Sequence, residues 1–216
     1  MSTIYNIRGA NGSGKTTLAR AFLPPDLKGN QHGGPIDLTW YAAPTKKDPA
    51  RLLPVTGYGA YAPMGTTIVV GPYNTPTGGM DNIPSFPIQQ EACWAALGLA
   101  EAVIAEGVLA STVYGSWATF ADRVTAAGHR FAFVYLQTPL EVCLERIRKR
   151  QEASGKVREI KTDLVADKVR AITATRERAI RDGRLVYDLP FGDELAALTD
   201  IMTGEGEHHR VSLRSH

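Results

Sequence analysis

Eight consecutive residues, Gly9-Ala10-Asn11-Gly12-Ser13-Gly14-Lys15-Thr16, spell the phosphate-binding loop pattern G-x-x-x-x-G-K-[ST]. Thr3-Ile4-Tyr5-Asn6-Ile7-Arg8 before it is a short β-prone run, and Thr16-Thr17-Leu18-Ala19-Arg20-Ala21-Phe22-Leu23 after it reads as an amphipathic helix. In a strand-loop-helix setting the glycines let backbone N–H groups curl toward phosphate oxygens, and the helix N-terminus adds partial positive charge. Gly9, Ala10, Asn11, Gly12, Ser13, Gly14, Lys15, Thr16 and Thr17 are therefore the expected nucleoside-triphosphate ligands. Lys15 is placed to bridge the β- and γ-phosphates, and the Thr16 hydroxyl to ligate Mg²⁺.

Strand and helix patterns alternate beyond the loop. Pro24-Pro25 ends the first helix, residues 28–35 read as a loop, and Leu38-Thr39-Trp40-Tyr41 and Leu52-Leu53-Pro54-Val55 suggest a small antiparallel β excursion. Thr66-Thr67-Ile68-Val69-Val70-Gly71 is an apolar run of the kind found in a covered parallel strand. A helix is expected over 85–101 with Ala92, Cys93, Ala95, Ala96 and Leu99 as its apolar stripe, then a buried strand over 102–109, a helix over 117–127 and a strand over 131–136. Thr138 reads as the cap of a long helix with Pro139 at its first position and Leu140, Cys143, Leu144 and Ile147 inward. Ser154-Gly155 breaks it, a charged helix follows over 161–182, and Leu185-Val186-Tyr187 is the expected last strand. The pattern predicts an α/β fold, a parallel sheet covered by helices on both faces. Residues 1–204 form the expected domain, with 141–184 as a basic helical lid and 205–216 as a polar tail in which His208-His209 frays.

At 216 residues the chain suits one such domain. No apolar run approaches the ~20 residues that span a bilayer and the N-terminus enters a strand directly, so a cytoplasmic location is expected. Cys93 and Cys143 fall in apolar helical patterns without a C-x-x-C partner and read as buried thiols. Residues 141–184 hold thirteen Lys and Arg against eight Asp and Glu, a basic surplus that is either a solvated helix face or a phosphate-facing one.

In an open parallel sheet, ligands gather at the carboxyl ends of the strands. Asp81 follows the strand that ends at Gly71, and Glu106 follows Val103-Ile104-Ala105, so both belong to that edge. Glu106 either orders water around Mg²⁺ or braces the phosphate loop; an acid after three apolar residues is costly to bury alone. Asp81 either accepts the proton of an acceptor hydroxyl or caps the next helix, while Gly78-Gly79 would admit a bulky substrate. Arg146 and Arg150 share one helix face and can neutralise charge on a moving phosphoryl group, whereas Arg148 and Lys149 fall on solvated faces. Trp40, Tyr41, Tyr58, Tyr61 and Tyr73 are candidates to stack on a base, or core residues.

The loop, the arginine-bearing helix and the alternating strands resemble the P-loop nucleoside and nucleotide kinases. Val70-Gly71-Pro72-Tyr73-Asn74-Thr75-Pro76-Thr77-Gly78-Gly79-Met80-Asp81 and Ala105-Glu106-Gly107-Val108-Leu109, taken with Arg8-Gly9-Ala10-Asn11-Gly12-Ser13-Gly14-Lys15-Thr16-Thr17, more specifically resemble bacteriophage kinases acting on 5-hydroxymethyluracil in DNA. The likeness spans about residues 4–155, and Met80 stands where that family often has Cys. The resemblance implies a P-loop kinase-like fold, ATP and Mg²⁺ as cofactors, a modified pyrimidine in DNA as acceptor, and Asp81 as the base. Lys15, Asp81, Arg146 and Arg150 are then the expected catalytic set, and Thr16 and Glu106 the metal ligands. The alternatives are a free nucleoside or nucleoside monophosphate kinase and an NTP-driven switch ATPase.

Overall fold

The computed structural model describes residues 1–23, 35–44, 52–62, 65–73, 78–83, 85–155 and 159–212. Its centre is strand β1 (Thr3–Arg8), buried at all six positions. It runs parallel between β5 (Ala102–Glu106) and β6 (Arg130–Leu136), with Tyr5 opposite both Ile104 and Ala132. Beyond them lie β4 (Gly65–Val70) and β7 (Leu185–Leu189), also parallel. The edges are antiparallel: β2 (Pro35–Pro44) and β3 (Leu52–Ala62) on one side, β8 (Arg210–Val211) on the other, in the order β2-β3-β4-β5-β1-β6-β7-β8.

Alternate residues of the apolar strands enter opposite cores, as a period of two requires when both faces are covered. Ile4, Val103, Phe131 and Phe133 pack with residues of α2 (Phe86–Leu97), α4 (Gly115–Ala126), α5 (Leu140–Ala153) and α6 (Thr162–Arg181). Tyr5, Ile7, Ile104 and Val134 pack with α1 (Lys15–Arg20) and α7 (Glu194–Thr203). Each fully buried large side chain contributes about 1.5–3 kcal/mol of transfer free energy, so the two cores lock the sheet from both sides. Because β1, β5 and β6 are parallel, the segments after Arg8, Glu106 and Leu136 emerge at one edge. Both cysteines are buried free thiols. Among the described residues no helix is long and apolar enough to cross a membrane.

The antiparallel excursion is present as β2 and β3, and it is continuous with the main sheet because β3 pairs with β4 over residues 57–62. Other expectations are corrected. Helix α2 stops at Leu97, which leaves Leu99 beyond it and 46% exposed. The strand expected over 102–109 ends at Glu106, and Val108–Thr112 instead forms a short helix, α3. Thr138 does not cap α5: Pro139 holds that position, and the Thr138 hydroxyl donates to the Ser13 carbonyl at 2.8 Å. Strand β7 is not the last, and the polar tail does not fray at His208-His209. A 3₁₀ turn at Gly206–His209 leads into β8, which pairs with β7, and Gly206 is buried against Ile201. The loop residues 28–34, the turn at 45–49, residues 74–77, and the side chains of Trp40, Tyr41, Tyr58 and Tyr61 lie outside the described set.

Candidate active site

The phosphate loop leaves β1 at Gly9 and enters α1 at Lys15. Gly12 has φ 81°, and a Cβ there would run into the carbonyl of Cys143, so the loop lies directly against α5. Its carbonyls face protein donors: Arg146 Nη1 donates to Ser13 O at 3.1 Å and to Gly12 O at 3.4 Å, and Thr138 also reaches Ser13 O. Lys15 Nζ donates to Gly9 O at 2.7 Å and Ala10 O at 3.1 Å. Burial pushes the Lys15 pKa down, opposed by the charges of Glu106 and Asp81. An ammonium held desolvated inside a glycine loop gains strongly from any anion that arrives.

Glu106, at the end of β5, is 2% exposed. Its Oε1 accepts from Thr16 Oγ1 at 3.0 Å and from the Tyr73 hydroxyl at 3.3 Å. Burial raises the carboxyl pKa, with Lys15 and the Thr16 hydroxyl pulling it back. Tyr73 is itself 1% exposed, and burial together with the Glu106 charge holds its phenol well above the ordinary range. Tyr73 is therefore a fixed donor and is not available to stack on a base.

Gly78 and Gly79 close the same knot. Gly79 has φ 88°, and a Cβ on it would strike the Glu106 carboxylate, while one on Gly78 would strike the Tyr73 ring. The close approach that the glycine pair permits is thus to the protein's own side chains, while Gly78 also lines the cavity described next. The next turn presents Asp81, exposed, whose Oδ2 accepts from Val108 N at 2.7 Å and whose Oδ1 accepts from Leu109 N at 3.2 Å. Asp81 caps α3, and each carboxylate oxygen retains a lone pair beyond the one its N–H donor occupies.

These groups share one cavity of about 840 Å³, within the range of small-molecule sites. Gly12, Lys15, Thr16 and Thr17 line it together with Asp81, Glu106, Arg146 and Arg150. Arg150 lies one turn beyond Arg146, whose guanidinium also sits 5.6 Å from the Phe191 ring centroid. Arg148 and Lys149 are exposed, and Lys149 pairs with Glu145 at 2.7 Å. Sequence reasoning missed Arg20, Asn82, Glu194 and Leu195, which also line the cavity. Arg20 lies 5.8 Å from the Tyr73 ring centroid. Its place in the last turn of α1 is the only signal that could have raised it.

A family model described as 5-hmdU DNA kinase matches residues 96–187, a stretch that holds Glu106, α3 and both arginines. The chain is 35% identical over 210 residues to the 5-hmdU DNA kinase of Pseudomonas phage M6, covering 93% of this chain and 98% of that protein. It is 32% identical over 154 residues to that of Pseudomonas phage PaMx11, covering 70% of this chain and 71% of the other. The 5-hmdU DNA kinase of Bacillus phage SP10 is 28% identical over 178 residues, which are 81% of this chain and 25% of that protein.

Proposed function

The chain belongs to the 5-hmdU DNA kinase family, and we propose that it transfers the γ-phosphoryl group of ATP to the hydroxymethyl oxygen of 5-hydroxymethyluracil in DNA. The observation that carries the assignment of roles is the meeting of Lys15 and Thr16 with Asp81 and Glu106 in one cavity, from three separate segments. Lys15 leaves the loop carbonyls for the β- and γ-phosphates. Asp81 accepts the proton of the acceptor hydroxyl as that oxygen bonds to the γ-phosphorus; the bond from phosphorus to the β,γ-bridging oxygen breaks, and ADP departs. Arg146 and Arg150 neutralise charge on the transferring oxygens. The acceptor nucleotide leaves the base stack, because a hydroxymethyl group inside a duplex cannot reach a recessed triphosphate.

Thr16 Oγ1 and Glu106 Oε1, 3.0 Å apart at the cavity, are hard oxygen donors of the kind Mg²⁺ takes, so these two residues would hold it. When bound, Mg²⁺ neutralises charge on the β- and γ-oxygens. A carboxylate that burial disfavours gains most from a cation beside it.

The test is a labelled γ-phosphoryl transfer assay that compares hydroxymethyluracil-containing DNA with the free nucleoside and nucleotide. Label is expected in the DNA. Transfer to the free nucleotide alone would make the chain a nucleotide kinase, and release of inorganic phosphate without transfer would make it an ATPase.

A further inference from the structure

Asp81 and the phosphate loop are far apart in the chain, yet transfer requires them to face each other across one phosphorus atom. We propose that helix α3 is the strut that sets this spacing, and that Ser111 and Arg8 are the residues that position it; the proposal rests on the kinase reading above.

The two ends of α3 are tied to the two halves of the site. At its start, the Val108 and Leu109 N–H groups are held by the Asp81 carboxylate. Toward its end, Ser111 is fully buried, and its Oγ accepts from the Gly9 N–H at 3.2 Å while donating to the Gly107 carbonyl at 2.7 Å. Gly9 opens the phosphate loop, and Gly107 follows Glu106. A single hydroxyl therefore joins the loop to the strand that bears Glu106, and the five-residue helix it belongs to carries the cap of Asp81.

Arg8 secures the same helix from beneath. Its side chain is fully buried, with Nη1 3.5 Å from Ser111 O and Nη2 3.3 Å from Val113 O, while Nε donates to Asn6 Oδ1 at 2.6 Å. The guanidinium carbon lies 4.7 Å from the Phe133 ring centroid. No carboxylate is among its partners in the described residues. A buried cation without one is costly, and here the carbonyls at the C-terminal end of a helix and an aromatic face offset that cost. An apolar residue at this position would pack on Phe133 with less penalty, but the Val113 carbonyl would lose its guanidinium donor and the Ser111 carbonyl would keep only the Thr175 hydroxyl at 3.4 Å. Neither Arg8 nor Ser111 lines the cavity, so each acts on the reaction only through the elements it holds in place.

The experiment is a double-mutant cycle on steady-state transfer to hydroxymethyluracil-containing DNA, with thermal melts to confirm folding. Ser111→Ala is expected to lower kcat about 10-fold, by misplacing Asp81 relative to the loop, and to leave the KM for ATP within about 2-fold. In an Asp81→Asn background the same change is expected to cost less than about 2-fold, because the group it positions is gone. Arg8→Lys keeps the charge but loses the fork that reaches two carbonyls, and should show the same coupling; it carries the cycle if Ser111→Ala does not fold. Equal losses in both backgrounds, or a loss confined to the KM for ATP, would overturn the strut and leave the kinase reading intact. Full activity in Asp81→Asn would overturn both the base and the strut. If the parent enzyme modifies only free nucleotide, the acceptor reading fails, and the cycle is measured on that nucleotide.

Discussion

The donor side of the cavity takes its loop from consecutive residues, Gly9 to Thr17, whereas the acid-bearing side is assembled from the turn at Met80–Asn82, the end of β5 and the start of α3. The first is shaped by local backbone conformation and merely steadied by Arg146 and Thr138. The second holds its shape only through contacts across the chain: Tyr73 and Thr16 on Glu106, Gly79 beneath the same carboxylate, and Asp81 on the amides of α3. Damage to the donor side should therefore appear in the handling of ATP. Damage to the acid side should appear in turnover, and should be possible from positions that touch no substrate.

Lys15→Ala should break the donor side most completely, raising the KM for ATP and also lowering kcat by about 10³-fold, the upper scale for one preorganised charge aimed at developing anionic oxygens. Near-normal turnover in a γ-phosphoryl transfer assay would end the proposed mechanism. Asp81→Asn should come next, with kcat down by about 10²-fold and ATP affinity unchanged in a titration. A parallel fall in ATP affinity would move Asp81 to the donor side and erase the contrast between the two halves.

Two glycine substitutions compare the halves directly. Gly12→Ala and Gly79→Ala each place a side chain at positive φ against a fixed partner, Cys143 O in one case and the Glu106 carboxylate in the other. Each should destabilise by about 1–3 kcal/mol in denaturant unfolding. The first should raise the KM for ATP, and the second should lower kcat; the same kinetic signature from both would contradict separate construction. Arg146→Ala should lower kcat by about 10-fold, because the side chain steadies the loop as well as the transferring charge, and Arg150→Ala by less. Equal effects would mean that the contacts to Gly12 and Ser13 contribute nothing.

The smallest effect concerns stability against pH. Burial raises the folded pKa of Glu106, so this group's contribution is fully present below its unfolded value, about 4.3, and is lost as pH rises through the raised folded value. Above the unfolded value, ionisation of this group works against folding. Glu106→Gln should therefore melt at or above the parent temperature at neutral pH, and the difference should shrink in acid. A lower neutral melting temperature would show that the neighbouring Lys15 charge outweighs burial.

Much of the framework was legible because its signals are local. The run Val103-Ile104-Ala105 before Glu106 announced a covered strand with an acid at its edge, and Gly14-Lys15-Thr16 announced the start of α1. Thr138 illustrates what local reading misses. A threonine before a proline satisfies the pattern of a helix cap, but its hydroxyl found Ser13 O in the loop instead. Tyr73 was open between stacking on a base and the core until the fold placed its hydroxyl on Glu106 and closed the glycines over it, which makes it core. Ser111 carries no sequence signal, since one serine between Ala110 and Thr112 in a short mostly apolar run is common.

Periodicity, the glycine-lysine loop and the apolar runs were enough to specify the alternating α/β chain, the covering of both sheet faces, the buried thiols and the strand-loop-helix at residues 9–16, because each depends on residues within a few positions of one another. Which distant group each polar side chain would choose was decided only when the parallel strands brought the ends of β1 and β5 to one edge. A hydroxyl or carboxylate pairs with the nearest donor or acceptor of suitable geometry, and for Thr138, Tyr73, Asp81 and Ser111 that partner lies in another segment of the chain.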